Sequence, residues 1–282
     1  MAVRIVTDSG SDILPGEYEG LVVLPLSVAF GSATYADGVD LTHERFYEML
    51  VEEEELPKTG QVNPYAFGRA FDEAYAAGDD VVCVTLSSKL SGTNHSAMVA
   101  AAEAKGTVRI VDSLNVCVGE RVLVEYALRL AAEGRTAMEI ADELCHARYR
   151  IVVVGLLDTL EYLRRGGRIS GAVAGVGQLL SIKPVISIDE GEVVMLGKAR
   201  GSKNGRNLLN EQVKAAGGID FGMPLALGYA GLSDKLLMKY IDDSRAIWEP
   251  GFADGRLPVH TVGATIGTHV GPGAIALAFF RV

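Results

Sequence analysis

The chain has 282 residues, of which 49% are hydrophobic and 22% charged. That is the balance of a folded protein with one large domain or two of ordinary size, not of a disordered chain. A formal net charge of -10 excludes broad binding to nucleic acid or to an anionic membrane surface. The mean hydropathy of +0.22 is high for a soluble chain, yet apolar runs such as residues 274–280 are too short to span a bilayer. A large core, an apolar ligand, or both would account for it.

The first half alternates short apolar strands with helices. Residues 3–6 and 21–30 read as strands, and a helix is expected to begin near Thr42. Asn63-Pro64 has the form of an N-cap followed by proline at the first helical position. Tyr65, Phe67, Phe71 and Tyr75 are spaced for a helix lying on a sheet. Residues 81–86 read as a buried strand, 87–92 as a polar turn and 93–104 as a helix. Another strand (108–111) and two long helices (115–132 and 136–148) follow. Strands separated by helices require crossover connections and a mainly parallel sheet.

The pattern changes after about Ile151. Residues 151–156 are apolar, 158–165 helical, and 171–180 form a Gly/Ala-rich helical pattern, with 171–177 suggesting a backbone-lined tunnel. Residues 183–188 and 192–198 flank Asp189-Glu190-Gly191, a hairpin signal. Ser202 is placed to cap a helix running to about Ala216. Further strands are expected at 225–229, 259–266 and 275–280. A hairpin here predicts a mixed or antiparallel second sheet. The fold class is α/β: two α/β domains, 1–155 and 156–282, the first with a mainly parallel sheet.

The three cysteines, Cys83, Cys117 and Cys145, share no CxxC spacing and read as inert thiols in a reducing cytoplasm. No signal peptide is expected from the first residues. Phosphate-loop, dinucleotide-turn, HExxH and GxSxG patterns are absent, and no histidine has metal spacing with a cysteine. No metal or other cofactor is expected.

Several segments carry polar groups in constrained settings. Ser87–Asn94 lies between a strand and a helix, where open α/β sheets gather ligands. There Ser91 offers a hydroxyl, Gly92 permits close approach of the backbone, and Thr93 or Asn94 begins a helix whose free N–H groups suit an anion. An ordinary capped helix start explains the same residues equally well. Lys58-Thr59-Gly60-Gln61 reads as a loop; Thr59 offers a hydroxyl, and a solvated turn is the plainer reading. His269 sits before Gly271-Pro272-Gly273, in a frame expected to present it from a tight loop, and its protonation would add charge assistance. Asp8, Asp12 and Asp112 follow strands and suit turn or cap networks better than acid–base or Mg²⁺ chemistry. From Arg164 to Arg206, eight basic residues stand against three acidic ones. That excess in an acidic chain suits a phosphate-bearing partner, although a solvated face is the commoner meaning.

Taken in order, these pieces make a chain-long pattern. They are Thr7-Asp8-Ser9, Val23-Leu24-Pro25-Leu26, Pro57-Lys58-Thr59-Gly60-Gln61, Ser91-Gly92-Thr93 and Val111-Asp112-Ser113, then Arg164-Arg165-Gly166-Gly167-Arg168, Ile182-Lys183-Pro184 and the segment from His269 to Ala274. The sequence thereby resembles the DegV family, whose better-understood members are fatty-acid-binding proteins. The resemblance implies a long-chain fatty acid such as palmitate held between two domains. Its carboxylate would be met by Thr59 and Ser91 with Gly92, Asn94 and His269 beside them. It further implies a separate ATP-dependent fatty acid kinase that makes the acyl phosphate, with Arg200 as a partner or phosphate contact, and no stable membrane insertion. Two departures stand out: Gly60 replaces the usual serine, removing one possible hydroxyl, and Asn94 replaces the usual tyrosine. A competing reading is an enzyme acting on a small anionic metabolite through Asp8, Asp112 and His269. A ligand-sensing regulator is disfavoured by the lack of a nucleic-acid-binding motif.

Overall fold

Where the sequence places strong local signals, helices begin as expected. In the computed structural model, which describes residues 2–53, 55–169, 182–252 and 256–282, Thr42 accepts a hydrogen bond from Arg45 N and caps the helix His43–Glu52. Asn63 accepts from Ala66 N, with Pro64 opening the helix Pro64–Ala77. Thr136 and Glu139 form a reciprocal capping box at the start of Ala137–Ala147. The helical pattern at 171–180 and its suggested tunnel lie outside the described residues.

In chain order the first strands are β1 (Val3–Asp8), β2 (Leu21–Leu24), β3 (Ser27–Phe30), β4 (Ala33–Ala36), β5 (Lys58–Gly60), β6 (Asp80–Thr85) and β7 (Val108–Asp112). The rest are β8 (Ile151–Leu156), β9 (Ile182–Asp189), β10 (Glu192–Arg200), β11 (Leu225–Tyr229), β12 (Val259–Thr261) and β13 (Ile275–Phe280). They form a four-stranded sheet ordered β2-β1-β6-β7, a six-stranded sheet ordered β10-β9-β8-β13-β11-β12, and a small sheet ordered β4-β3-β5. Every pairing in the first sheet is parallel. In the six-stranded sheet only β11 and β12 run parallel. The fold is thus mixed α/β, with the expected hairpin formed by β9 and β10 around Glu190 and Gly191, both at positive φ. β8 pairs within the second sheet, so an expected boundary between 155 and 156 cuts through a strand, and the sheets change before Ile151.

Other expectations are corrected by tertiary pairing. Residues 21–30 are two strands. Pro25 has no N–H to give to a ladder, and Leu26 N donates to Ser9 Oγ at 3.0 Å, so the chain leaves the first sheet there and β3 joins the small one. Tyr65 and Tyr75 are exposed; the helix Pro64–Ala77 instead buries Phe67, Ala70, Phe71 and Ala74, at i, i+3, i+4 and i+7. Ser202 caps nothing, because the helix Gly201–Ala215 already starts at Gly201. The strand expected over 259–266 ends at Thr261, and a helix, Ala264–Val270, follows.

The helix Val118–Ala132 lies between the large sheets, touching β1 and β6 on one side and β8, β11 and β13 on the other. It buries Val118, Val122, Leu123, Val124, Ala127 and Leu130 between the two layers, together with the charged side chains of Glu120 and Arg121. Polar links also join the halves. Ser87 Oγ donates to Gly191 O at 2.7 Å and Tyr47 OH to Val262 O at 3.0 Å. Asp12 Oδ1 accepts from Gly263 N at 2.8 Å.

Asp12 occupies its position at an electrostatic cost. Burial raises its pKa to about 7 with help from the Asp37 charge, despite hydrogen bonds from Cys117 and Gly263 and the nearby Arg121 guanidinium. The folded state therefore keeps a proton that an unfolded Asp, at 3.8, gives up. This contribution to stability is complete below about pH 4 and is lost as pH rises through about 7. Asp12→Asn removes the titration. The gap in thermal midpoint between wild type and D12N should accordingly narrow between about pH 5 and about pH 8. A gap that is constant or widens contradicts this account.

Candidate functional site

A cavity of about 380 Å³ opens between the six-stranded sheet and the segments that follow β2, β6 and β7 of the first sheet, with β5 at its side. Aliphatic side chains dominate its wall, among them Leu26, Leu86, Val116, Val153, Ile186 and Ile275. Several polar groups that border it cluster on one side, partly through direct contacts and partly through neighbouring backbone. Thr59 Oγ1 lies 3.0 Å from His269 Nε2. The other side of the His269 ring packs on Gly166, whose added Cβ would meet Nδ1. Gly166 O accepts from Arg168 Nη1 at 2.7 Å, and Arg168 Nε donates to Leu90 O at 3.1 Å. Leu90 leads directly to Ser91 and Gly92, and Gly92 lies against the Gln61 amide.

Each of these residues is positioned by a different element. Thr59 belongs to β5, not to the expected loop; its strand is held by β3, with Val28 opposite Thr59 and Ser27 opposite Gly60. Successive side chains on a strand point to opposite faces. A Cβ at Gly60 would run into Ser27 Oγ, so glycine here fits the β3 side chain, and a serine would point away from the Thr59 face. Ser91 lies in the turn after β6, whose exit is fixed by Leu86 N donating to Asp8 Oδ2 at 2.9 Å. Its hydroxyl accepts from Thr93 N at 3.3 Å and so orders the start of the helix Thr93–Ala102. Gly92 must lack a side chain because the Gln61 amide, held by Ser96 Oγ at 2.8 Å, occupies that space.

His269 is carried by the last turn of the helix Ala264–Val270, a correction to the expected loop presentation. The Gly-Pro-Gly segment ends that helix, with Gly271 at φ 72°. Protonation is corrected as well. Burial, and then the Arg168 charge, push the imidazole pKa down to about 4. The ring is neutral near pH 7, and its Nδ1 has no hydrogen-bond partner among the described residues.

Not every candidate meets at this place. Asn94 is buried beneath the turn, donating to Thr85 Oγ1 at 2.9 Å, and does not border the cavity. Arg200 is exposed at the end of β10, also away from the cavity lining. Asp8 is occupied by Gly10 N and Leu86 N, and Asp112 by Ser88 N and Leu114 N. Neither aspartate borders the cavity with His269. The basic excess is reduced by acids outside the counted stretch: Arg164 and Arg165 pair with Glu161, Lys183 with Asp158, and Arg206 with Asp243. Exposed Lys198, Arg200 and Lys203 take part in none of these pairs. Arg168, counted in that stretch but not singled out, is the basic side chain that borders the cavity; its place in the Arg-Gly-Gly-Arg motif was the available signal. Among the described residues, no group of three or more His, Cys, Asp or Glu side chains is arranged to hold a metal ion. No described helix is long and apolar enough to cross a membrane.

Comparisons with known proteins agree over the full length. The family model described as "Uncharacterised protein, DegV family" matches residues 2–282. A DegV domain-containing protein of Caldanaerobacter subterraneus subsp. tengcongensis is 34% identical over 281 residues, with 98% of each chain covered. A solved structure described as fatty acid binding of a DegV family protein from Thermus thermophilus superposes with a TM-score of 0.87 at 32% identity, covering 100% of both chains. The structure of DegV from Bacillus subtilis, described as a fatty acid binding protein, gives 0.84 at 27% identity, again over 100% of both.

The neutral state of His269 is directly testable. An imidazole with a pKa near 4 should remain uncharged from about pH 5 to about pH 8 in an NMR titration of labelled histidine. A His269 transition near the ordinary histidine value would contradict the buried geometry.

Proposed function

The chain belongs to the DegV family, and from that premise we propose that it binds a long-chain fatty acid such as palmitate. The tail fills the aliphatic cavity, and Thr59, Ser91 and neutral His269 meet the carboxylate. The observation that carries this reading is the clustering of Thr59, His269, Arg168 and Ser91 on one mostly aliphatic cavity, with Thr59 Oγ1 3.0 Å from His269 Nε2 and Arg168 bonded to Leu90 O, the residue before Ser91. An amphiphile with one anionic end matches that division. Fatty-acid binding in the Thermus and Bacillus relatives supports the same class of ligand. In this reading the cavity lies between two domains whose junction falls just before Ile151.

The energies divide in the same way. At ~0.8 kcal/mol per buried methylene, the tail of a C16 acid offers roughly 11 kcal/mol before ordering costs. The tail therefore supplies affinity. A carboxylate is costly to bury unless hydrogen-bonded, so the hydroxyls and imidazole offset that cost and fix the head. Arg168, tied to Leu90 O and Gly166 O, adds positive potential without closing an ion pair. The protein itself is read as non-catalytic. It presents the carboxylate to a separate ATP-dependent kinase, with exposed Arg200 serving that partner or the phosphate.

Mass spectrometry of a solvent extract from the purified, denatured protein should reveal co-purified fatty acid. Ser91→Ala and Thr59→Ala should each weaken palmitate binding about 10- to 100-fold, the loss of a hydrogen bond to a charged group. Unchanged affinity in both would remove the proposed carboxylate site. Arg200→Ala should spare palmitate binding while lowering acyl-phosphate formation by a partner kinase. Loss of binding in R200A would reassign the residue to the ligand.

A further inference from the structure

The helix Ala264–Val270 has seven residues, too few to be stable without tertiary support. Its N-cap, Gly263, has no side chain with which to satisfy the first-turn amides. A different part of the chain does so. Asp37 Oδ1 accepts from Ala264 N and Asp37 Oδ2 from Thr265 N, both at 3.0 Å, while Asp12 holds Gly263 N one residue earlier. Asp37 is only 1% exposed, and Ser9 Oγ donates to its Oδ2 at 3.2 Å. At the other end of the same helix, five residues on, stands His269, 3.0 Å from Thr59.

We propose that Asp37 is a positioning residue for the ligand site: its carboxylate fixes the N-terminus of this helix and thereby places the His269 imidazole against Thr59. The inference rests on the fatty-acid reading above. Two oxygens accepting two successive N–H groups set the orientation of the helix as well as its position. A helix rises about 1.5 Å per residue, so Ala264 and His269 are separated by roughly 7.5 Å of one rigid element. A change at the anchored end is therefore delivered to the imidazole. An asparagine at position 37 retains one acceptor and turns an NH₂ toward a backbone donor, so one of the two anchoring bonds is lost.

A double-mutant cycle with palmitate as the probe separates positioning from general support of the fold. Asp37→Asn should weaken binding about tenfold in the wild-type background and less than about twofold when His269→Ala is already present. Equal losses in both backgrounds, or no loss in the first, overturn the proposal. Thermal unfolding of each variant identifies those that fold. If D37N does not fold, Ser9→Ala takes its place; it removes the hydroxyl that donates to Asp37 and accepts from Leu26 N, with an expected loss of about threefold that H269A should suppress if it acts through Asp37. A wild-type protein that binds no palmitate defeats the fatty-acid reading instead. In that case the His269 imidazole resonances decide the inference alone: a shift in D37N or S9A sustains it, and unchanged resonances refute it.

Discussion

Three successive backbone amides, at Gly263, Ala264 and Thr265, are held by carboxylates of Asp12 and Asp37 from the opposite half of the chain. Much of the cavity depends on that junction. Thr265, Ile266, His269 and Val270 all form part of its wall and all belong to the short helix that begins there. An aspartate suits the task because a carboxylate offers only acceptors, and the start of a helix offers only donors. The arrangement also concentrates acidic groups. Asp8, Asp12, Asp37 and Glu120 are all buried, and burial raises Asp8 to about 7 and Glu120 well above its usual value. Arg121, itself 1% exposed, donates to Asp12 O but pairs with Glu17 and Glu125 rather than with these carboxylates. The junction therefore exchanges some stability for a defined relation between the two halves.

Such a relation leaves little trace in local sequence, which explains what could be read from it and what could not. Thr42, Asn63 and Thr136 announced their helices because each cap lies within three residues of the amide it satisfies. The β9–β10 hairpin was equally legible from its own turn. By contrast, among the described residues β5 is paired only with β3, and the first-turn amides of the helix at 264–270 are satisfied by Asp37 from 227 positions away. Neither contact can be seen in a short window. The basic stretch misled for the same reason, since Glu161, Asp158 and Asp243 lie beyond its edges. Thr59, Ser91, Gly92 and His269 do border one cavity; it was their order along the whole chain, not any one motif, that suggested a common site. Asn94, at the start of the helix after that turn, instead has its amide buried beneath it on Thr85 Oγ1, a placement set by tertiary packing.

The electrostatic character of the site follows from its burial. A charged imidazole beside Arg168 would place two cations together in an apolar wall, and desolvation with that repulsion keeps His269 neutral. In the proposed reading, the carboxylate is met by two hydroxyls and one neutral N–H, with the guanidinium of Arg168 engaged by backbone carbonyls. Neutral donors bind an anion less strongly than a paired cation does. They also leave more of its charge available to another group. Under the proposed hand-over to a kinase this matters: a tight, fully desolvated ion pair would hold the head at the expense of its nucleophilicity. Affinity can instead reside in the aliphatic wall, where each methylene contributes without touching the reacting oxygen. On the proposed reading, retention of the lipid and reactivity of its carboxylate would be set by different residues, so either could change without sacrificing the other.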